Sequence, residues 1–275
     1  MSGKTKKMRL DQLVLAKRPD LSRSRVQAEI MAGRVMVDGK ICDKAGMQVP
    51  ESADLSIMGP ANPYVSRGGL KLEGALKDLS VEVEEKVVLD VGASTGGFTD
   101  CLLQKGASFV YALDVGYGQL DWKLRERSDV AVLERFNVRK LKAEDLENPP
   151  DLAVVDVSFI SLALVIPVLA ELKIEEVLLL VKPQFEAGRS EADRGGGVIR
   201  SPEIHRAVLV KMCEHLIDSG YSIKGLAFSR LTGPSGNIEF FLYAAKSGEA
   251  ALSRDHLADK ITATVNRAHD KLVFS

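Results

Sequence analysis

The sequence VVLDVGASTGGFTDCLL, residues 87–103, is the strongest indication of the fold, because it joins an apolar run to a helical pattern through a glycine-rich turn. The glycines let the backbone approach a ligand, and the helix is predicted to begin near Thr99. Further apolar runs are predicted to be strands at 109–115, 130–133, 152–157, 176–182, 221–229 and 240–244. Alternation of strands and helices is typical of a doubly wound α/β domain with a largely parallel sheet, whose ligands bind beyond the carboxyl ends of the strands.

The turn after the first strand favours S-adenosylmethionine over a dinucleotide. The turn lacks the GxGxxG spacing of a nicotinamide site, because the second glycine of that motif is expected where this sequence has Ser94 and Thr95. Asp90 ends the strand, where a carboxylate suits the cationic amino-acid part of S-adenosylmethionine and would repel a pyrophosphate. Asp114 ends the next strand and is placed to accept hydrogen bonds from both ribose hydroxyls of adenosine. The predicted cofactor-binding residues are Asp90, Gly92, Ser94, Gly96, Gly97, Phe98, Asp114 and Val115. The alternatives are a tight structural turn and a dinucleotide site.

A small separate module is predicted before this domain. One short amphipathic helix precedes Pro19, and a second is capped by Ser22 or Ser24 and stopped by Gly33. Residues 35–41 then alternate about an Asp-Gly pair, which is a strong hairpin signal. Basic side chains recur along the module. The predicted RNA-binding residues are Arg9, Arg18, Arg23, Arg25, Arg34 and Lys40, together with Arg67 beyond the module.

Charge is distributed unevenly along the chain. Residues 1–62 hold eleven Lys and Arg against seven Asp and Glu, whereas the remainder holds 26 against 31. A basic front gains free energy by docking on a polyanion, because condensed counterions are released. A solvated charged surface is the alternative. The turn-forming stretch at 59–65 is the predicted linker between an RNA-binding domain at 1–58 and the larger domain at 66–275.

Composition narrows the class of protein further. The hydrophobic and charged fractions, 45% and 27%, are those of a globular protein. The three cysteines lie far apart with no CxxC pair, so neither a disulfide framework nor a metal site is predicted. The N-terminus lacks the apolar stretch of a signal peptide, and no window approaches the ~18 to 20 apolar residues that span a bilayer. We therefore expect a cytoplasmic protein with no membrane association and no obligate protein partner.

Four titratable residues lie on elements that are predicted to converge at one edge of the sheet. Asp156 and Lys182 end strands, Glu239 follows a glycine-rich loop, and Lys71 lies at the start of the helix before the first strand. A single charged residue at a strand end is usually a solvated cap. Four of them at the same edge indicate a site.

These motifs together resemble the hemolysin A (TlyA) family, whose catalytic domain is similar to the FtsJ-type ribose methyltransferases with a Rossmann-like class I fold. The resemblance extends over about residues 8–246 and rests on SRGGLKL, DVGASTGGFTD, VVDVSFISL, VKPQFEAG, GGGVIRSPEIHR and GPSGNIEF. Within 8–58, LSRSRVQAEIMAGRVMVDGK resembles the small α+β RNA-binding module named after ribosomal protein S4.

This resemblance implies a Lys-Asp-Lys-Glu catalytic set, which Lys71, Asp156, Lys182 and Glu239 supply. It implies S-adenosylmethionine as cofactor, ribosomal RNA or ribosomal subunits as partners, and 2′-O-methylcytidine as product. Lys182 is our candidate for the group nearest the 2′-hydroxyl. A free lysine has a pKa of about 10.4, so it acts as a base only if burial or a second cation such as Lys71 lowers that value. The alternative is an ammonium that stabilises a developing alkoxide, with Asp156 and Glu239 orienting the lysines.

Other features bear on the acceptor and on competing functions. The segment Asp156-Val157-Ser158-Phe159 lacks the Asn/Asp-Pro-Pro-aromatic turn of enzymes that methylate base amines, so oxygen is the favoured acceptor. Phe159 stacks on a nucleobase or packs in the core. We expect the loop at 184–198 to close over RNA or cofactor, and we interpret His205 and His215 as ordinary helix residues. The competing functions are a membrane-active hemolysin, an RNA-binding assembly factor without methyl transfer, and a methyltransferase for small molecules or proteins.

Overall fold

The computed structural model describes residues 6–19, 21–31, 33–57, 62–188, 197–246 and 254–272. The chain divides into two compact units, Met1–Pro63 and Tyr64–Ser275. This division falls inside the segment at 59–65 that the sequence marks as a linker. Each unit has its own sheet and its own buried core.

The first unit combines two helices with short antiparallel strands. Strand β2 (Val35–Val37) pairs with both β3 (Lys40–Cys42) and β5 (Leu55–Ile57), and β1 (Lys7–Arg9) pairs with β4 (Gln48–Pro50). The turn between β2 and β3 has positive φ at Asp38 (49°) and Gly39 (77°), as a two-residue type I′ hairpin requires. Ser22 Oγ accepts a hydrogen bond from the Arg25 N–H at 3.2 Å and so caps the second helix. The described elements are β1 (Lys7–Arg9), α1 (Leu10–Lys17), α2 (Arg23–Met31), β2 (Val35–Val37), β3 (Lys40–Cys42), β4 (Gln48–Pro50) and β5 (Leu55–Ile57).

The second unit is built on a seven-stranded sheet with the order β11-β12-β10-β9-β6-β7-β8 in the described residues. Strands β10, β9, β6, β7 and β8 are parallel, whereas β12 is antiparallel to β10 and β11 is antiparallel to β12. The predicted doubly wound α/β class is therefore confirmed. The strands are β6 (Val87–Val91), β7 (Phe109–Leu113), β8 (Val130–Leu133), β9 (Leu152–Val155), β10 (Glu176–Val181), β11 (Ser222–Phe228) and β12 (Phe240–Ala245).

Helices cover both faces of this sheet. They are α3 (Arg67–Leu79), α4 (Gly97–Gln104), α5 (Trp122–Arg125), α6 (Ile166–Glu171), α7 (Pro183–Glu186), α8 (Pro202–Asp218) and α9 (Arg254–Leu272), with 3-10 turns at 138–140, 143–145 and 162–164. Helix α4 begins two residues before the predicted start at Thr99. The start near Thr99 is therefore predicted to within two residues, and Gly96, with φ at 92°, is the last residue before the helix.

The apolar runs predicted as strands are buried on both faces, which is why they read as continuous rather than alternating. Successive residues of β12 show this directly. Phe240 joins the cluster formed with α6, α8 and α9, whereas Phe241 joins the opposite cluster formed with α3 and α4. The two cores hold the ends of the strands in place. The backbone positions from which the side chains at those ends extend are therefore fixed.

Candidate active site

Three neighbouring strands deliver charged side chains to one edge of the sheet. Asp156 follows β9 and Lys182 follows β10, so both lie at the carboxyl edge of the parallel strands. Glu239 precedes β12, but β12 runs antiparallel and Phe240 pairs with Val181, which brings Glu239 to the same edge. Adjacent strands are about 4.8 Å apart, so these residues form a row.

The row is organised as two ion pairs. Lys182 Nζ lies 2.5 Å from Asp156 Oδ1, and Lys71 Nζ, reaching in from α3, lies 2.6 Å from Glu239 Oε2. The structure thus brings together all four residues that the sequence singled out. Their environments differ, because the side chain of Glu239 is 1% exposed and that of Asp156 is 22% exposed.

The buried pair is held by a close backbone approach. A Cβ at Gly233 would lie 2.7 Å from Glu239 Oε1, so only glycine leaves room for the carboxylate there. The backbone of Glu239 is fixed as well, because its carbonyl oxygen accepts from the Ser229 N–H at 2.8 Å. Removing either partner of such a pair leaves an uncompensated buried charge, which is strongly destabilising.

The segment after β9 presents an exposed aromatic ring beside the row. Ser158 Oγ accepts a hydrogen bond from Lys182 Nζ at 3.0 Å. The next residue, Phe159, has φ at 64° and is 91% exposed. Its ring lies against that of Phe185, with centroids 5.0 Å apart. A bulky residue at positive φ is strained. Neither this strain nor the contact of Ser158 was predicted from the sequence.

The glycine-rich turn lies next to Asp156. Gly92 has φ at 91°, and a Cβ there would collide with the carbonyl oxygen of Asp156. Ser94, at φ 49°, donates its N–H to Asp114 Oδ2 at 2.8 Å, and the Gly116 N–H donates to Asp114 Oδ1 at 2.6 Å. The half-buried carboxylate of Asp114 therefore shapes the turn, and each oxygen keeps a lone pair for a ribose hydroxyl. Val115, beside it, is exposed and offers an apolar surface.

Asp90 lies completely buried under this turn. Thr99 Oγ1 donates to its Oδ2 at 2.6 Å, and its Oδ1 has no hydrogen-bond partner in the described ranges. Burial raises the pKa of this carboxyl to about 7, and the negative charges of Asp156 and Asp114 act in the same direction. The structure thus places Asp90 beneath the glycine turn, and its role toward a ligand stays a prediction.

Two predicted cofactor residues have other packing partners. The side chain of Phe98 lies in the core, stacked on Phe241 at 6.3 Å between centroids, so only its backbone faces the turn. A Cβ at Gly97 would collide with Ser66 Oγ and lie 3.0 Å from the Gly69 nitrogen. Glycine is thus required at 97 for the packing of α4 on the start of α3.

Three of the predicted RNA-binding arginines are engaged inside the first unit. The buried carboxylate of Glu29 pairs with Arg25 at 3.0 Å and with Arg34 at 2.7 Å. Arg9 pairs with buried Asp11 at 2.8 Å, and its hydrogen bond lowers the pKa of that carboxyl to about 2. These arginines stabilise the module in addition to any contact with RNA.

The other predicted RNA-binding residues lie closer to solvent. Arg18, Arg23 and Lys40 are exposed on the first unit. Arg67, the first residue of α3, is partly exposed at the start of the second unit. Arg23 and Lys40 are therefore the better candidates for direct contact with phosphates.

Two further expectations have different outcomes. The centre of the loop at 184–198, residues 189–196, lies outside the described residues, so its closure stays a prediction. His205 and His215 both lie in α8, as expected, and His205 is in addition buried, with its Nδ1 2.9 Å from His269 Nε2 and its pKa lowered to about 4 by burial. The sequence does not reveal this contact across 64 residues. Groups of three or more potential metal ligands are absent from the part of the chain that the structure describes.

The residues fit S-adenosylmethionine. The unpartnered oxygen of Asp90 places negative potential under the glycine turn, and Asp114 with Val115 provides acceptors and an apolar surface for an adenosine. Fold and site together define a Rossmann-like methyltransferase that uses S-adenosylmethionine. The chain belongs to the FtsJ-like methyltransferase family, whose model matches residues 64–246, and residues 8–55 match the S4 domain. The predicted family, fold and cofactor are confirmed.

Similar proteins cover almost the whole chain. YqxC of Bacillus subtilis, provisionally named an rRNA methyltransferase, is 44% identical over 98% of this chain and 96% of its own length. The 16S/23S rRNA (cytidine-2′-O)-methyltransferase TlyA of Mycobacterium tuberculosis is 41% identical over 89% of this chain and 92% of its own length. A solved structure from Streptococcus thermophilus, provisionally named a hemolysin, is 40% identical with a TM-score of 0.77 and covers 98% of both chains. None of the helices in the part of the chain that the structure describes combines the length and the hydropathy that a membrane span requires.

Proposed function

We propose that this protein methylates the ribose 2′-oxygen of a cytidine in ribosomal RNA. The observation that carries the proposal is the pairing of Lys182 with Asp156 and of Lys71 with Glu239 at the edge where the cofactor turn lies. The names of the relatives supply the nucleotide and the RNA class. We further propose that residues 1–58 bind the RNA, as free rRNA or within a ribosomal subunit, while residues 66–275 transfer the methyl group. Such a substrate implies a cytoplasmic site of action.

The chemistry divides between the cofactor and the chain. S-adenosylmethionine, when bound, supplies an electrophilic methyl group on a sulfonium. The chain therefore has two tasks, which are to align the 2′-oxygen so that its bond to the methyl carbon forms as the carbon–sulfur bond breaks, and to favour release of the hydroxyl proton to solvent water. Asp114 and the Gly92 turn would hold the cofactor, and Asp90 would favour its cationic end electrostatically.

Lys182 is the proposed catalytic residue nearest the 2′-hydroxyl. Its Nζ is held by Asp156 Oδ1 at 2.5 Å and by Ser158 Oγ at 3.0 Å. An ion-paired ammonium has a fixed direction, and in a water-poor site it stabilises the alkoxide character that develops on the oxygen. The pairing supports this electrostatic role over that of a neutral base. Lys71 and Glu239 would hold the neighbouring charge in place.

The exposed ring of Phe159 suits the unpaired nucleobase. Phe159 directly follows Ser158, which contacts Lys182, and its ring packs against that of Phe185. Aromatic faces stack on unpaired bases with about 1 to 3 kcal/mol per base. A base stacked there would bring its own ribose toward Lys182.

The test is methyl transfer from tritiated S-adenosylmethionine to rRNA isolated from cells that lack the protein. We expect label in a 2′-O-methylated dinucleotide that survives alkaline hydrolysis, because a methylated 2′-oxygen cannot attack its own phosphodiester. RNA that already carries the modification serves as the matched control and should accept no label. Running the assay on free rRNA, on separated subunits and on whole ribosomes identifies the physical form of the substrate.

Several outcomes would contradict the proposal. Label released by alkali in a mononucleotide would mean that a nitrogen or carbon of the base is the acceptor. Label on protein, or no transfer to any of the RNA forms, would exclude the rRNA function. Leakage from lipid vesicles, measured in parallel with catalytically competent protein, would support the membrane-active alternative.

A further inference from the structure

The residues around Lys182 are joined by a carboxylate that the proposed chemistry does not use. Glu186, at the end of α7, is 6% exposed. Its Oε2 accepts from Ser161 Oγ at 2.6 Å, and its Oε1 accepts from the Leu162 N–H at 2.8 Å. Charge-assisted hydrogen bonds of this kind are about twice as strong as neutral ones.

Glu186 links the two segments that follow β9 and β10. One segment carries Asp156, Ser158 and Phe159, and the other begins with Lys182. Covalent chain joins Lys182 to Glu186, hydrogen bonds join Glu186 to Ser161 and Leu162, and the Lys182 contacts join back to the first segment. The covalent chain and these contacts together form a closed loop of connections, and Phe159 is one of the residues in that loop.

Two residues of helix α7 support the Phe159 segment. Phe185 packs against the ring of Phe159, and the neighbouring Glu186 fixes the chain directly after it. A non-glycine residue at positive φ is strained and persists only when surrounding contacts over-determine it. Apart from these contacts, nearly all of the Phe159 side chain faces solvent.

We propose that Glu186 is a positioning residue that holds Phe159 and Ser158 in the conformation used to seat the RNA against Lys182. The inference rests on the proposed function, because it assigns Phe159 to the nucleobase and Lys182 to the ribose. It differs from a purely structural role in its consequence: without Glu186 the segment relaxes toward ordinary backbone angles, and the aromatic face and the Ser158 hydroxyl both move away from their places.

The matched control is Glu176, at the opposite end of β10. Its carboxylate is likewise held by two short contacts, from Lys86 Nζ at 2.6 Å and from Tyr243 OH at 2.6 Å, but far from the row of charges. Glu186→Ala and Glu176→Ala should both lower Tm. Only Glu186→Ala should lower kcat/KM for rRNA, by at least tenfold, while the Kd for S-adenosylmethionine stays within twofold in both.

Conservative replacement tests the mechanism of positioning. In Glu186→Gln, the side-chain carbonyl can still accept from the Leu162 N–H, and the amide can donate to Ser161 Oγ. We expect this variant to recover activity to within about threefold of wild type. Ser161→Ala removes one of the two hydrogen bonds and should fall between the two glutamate variants.

A double-mutant cycle with Phe159→Ala decides whether Glu186 acts through the aromatic side chain. Phe159→Ala should reduce kcat/KM on its own, and adding Glu186→Ala should then cost much less than it does in wild type. Independent, multiplicative losses would overturn the inference, as would equal activity of the Glu186 and Glu176 alanine variants. Absence of methyl transfer by the wild-type protein would instead contradict the proposed function. The wild-type assay therefore distinguishes failure of the proposed function from failure of this inference.

Discussion

Strand β10 carries an ion pair at each end. The two pairs are nearly equal in length, but only the pair at the carboxyl end lies in the candidate active site. At the amino-terminal end, Glu176 accepts from Lys86 and from Tyr243 OH, each at 2.6 Å. At the carboxyl end, Lys182 lies 2.5 Å from Asp156. The length of an ion pair therefore does not identify a catalytic lysine.

What separates the two ends is their surroundings. The carboxyl edge holds the glycine turn, a buried carboxyl with one oxygen that has no hydrogen-bond partner among the described residues, and an aromatic ring that is 91% exposed. At the amino edge, both oxygens of Glu176 are satisfied and Asp151 closes the start of β6 by accepting from the Val87 N–H at 2.9 Å. Proteins violate the rules of polar satisfaction and apolar burial mainly at functional sites, and this sheet obeys them at one edge and departs from them at the other.

The largest effect should come from removing one lysine at each end. Lys182→Ala should reduce methyl transfer by about a thousandfold, the scale of losing one aligned electrostatic group. The Kd for S-adenosylmethionine should change by no more than a few-fold, because the glycine turn is intact. Lys86→Ala should lower Tm slightly and leave kcat unchanged. Single-turnover methylation and calorimetric binding measure both quantities.

The comparison fails if the two lysine variants lose activity alike, since the amino edge would then matter for the chemistry. Loss of cofactor binding in Lys182→Ala would assign that lysine to the cofactor rather than to the ribose. Lys182→Arg is a useful second variant, because it keeps the charge but changes the geometry of the donor. It should remain well below wild type if alignment matters as much as charge.

A smaller effect is expected at Asp90, where function and stability oppose each other. Asp90→Asn removes a buried charge, so Tm at pH 8 should rise. The negative potential under the glycine turn disappears as well, so the affinity for S-adenosylmethionine should fall several-fold. Thermal unfolding with and without cofactor checks both directions, and a variant that loses stability and affinity together would contradict this account.

The pH dependence follows from the direction of the Asp90 shift. Its pKa is raised to about 7 by burial, from an ordinary value near 3.8. Between about pH 4 and 7 the folded protein keeps a proton that the unfolded chain has released, so this group makes stability fall as pH rises through that window. Cofactor affinity should rise over pH 6 to 8 as Asp90 ionises. Asp90→Asn should flatten both profiles.

Local patterns allowed much of this to be predicted. Strands buried on both faces appear in the sequence as apolar runs. Because Asp156 and Lys182 each follow such a run, they were predicted to be neighbours at one edge of the sheet. The pairing of Lys71 with Glu239 could not be derived from spacing, because 168 residues separate them and the antiparallel β12 decides where Glu239 lies. The positive φ of Phe159 is likewise imposed by distant contacts.

The same limit applies to charge in the first unit. Basic residues along the module predicted RNA contacts, but a sequence does not tell which arginines are already committed to buried carboxylates. Arg25 and Arg34 share Glu29, whereas Arg23 at the start of α2 is exposed. Tertiary structure alone separates these two uses of one residue type.

The smallest effects are expected from single arginine substitutions in the first unit. They should distinguish arginines that pair with a buried carboxylate from arginines that are exposed to solvent. Arg23→Ala should weaken RNA binding by a few-fold and reduce the slope of log K against log salt by about one, as expected for one lost phosphate contact. Arg34→Ala should instead lower Tm, because it leaves the buried Glu29 with one partner fewer. Filter binding across a salt series and thermal unfolding measure the two responses. Equal salt slopes in both variants would mean that Arg34 also reaches the RNA, and that its ion pair opens on binding.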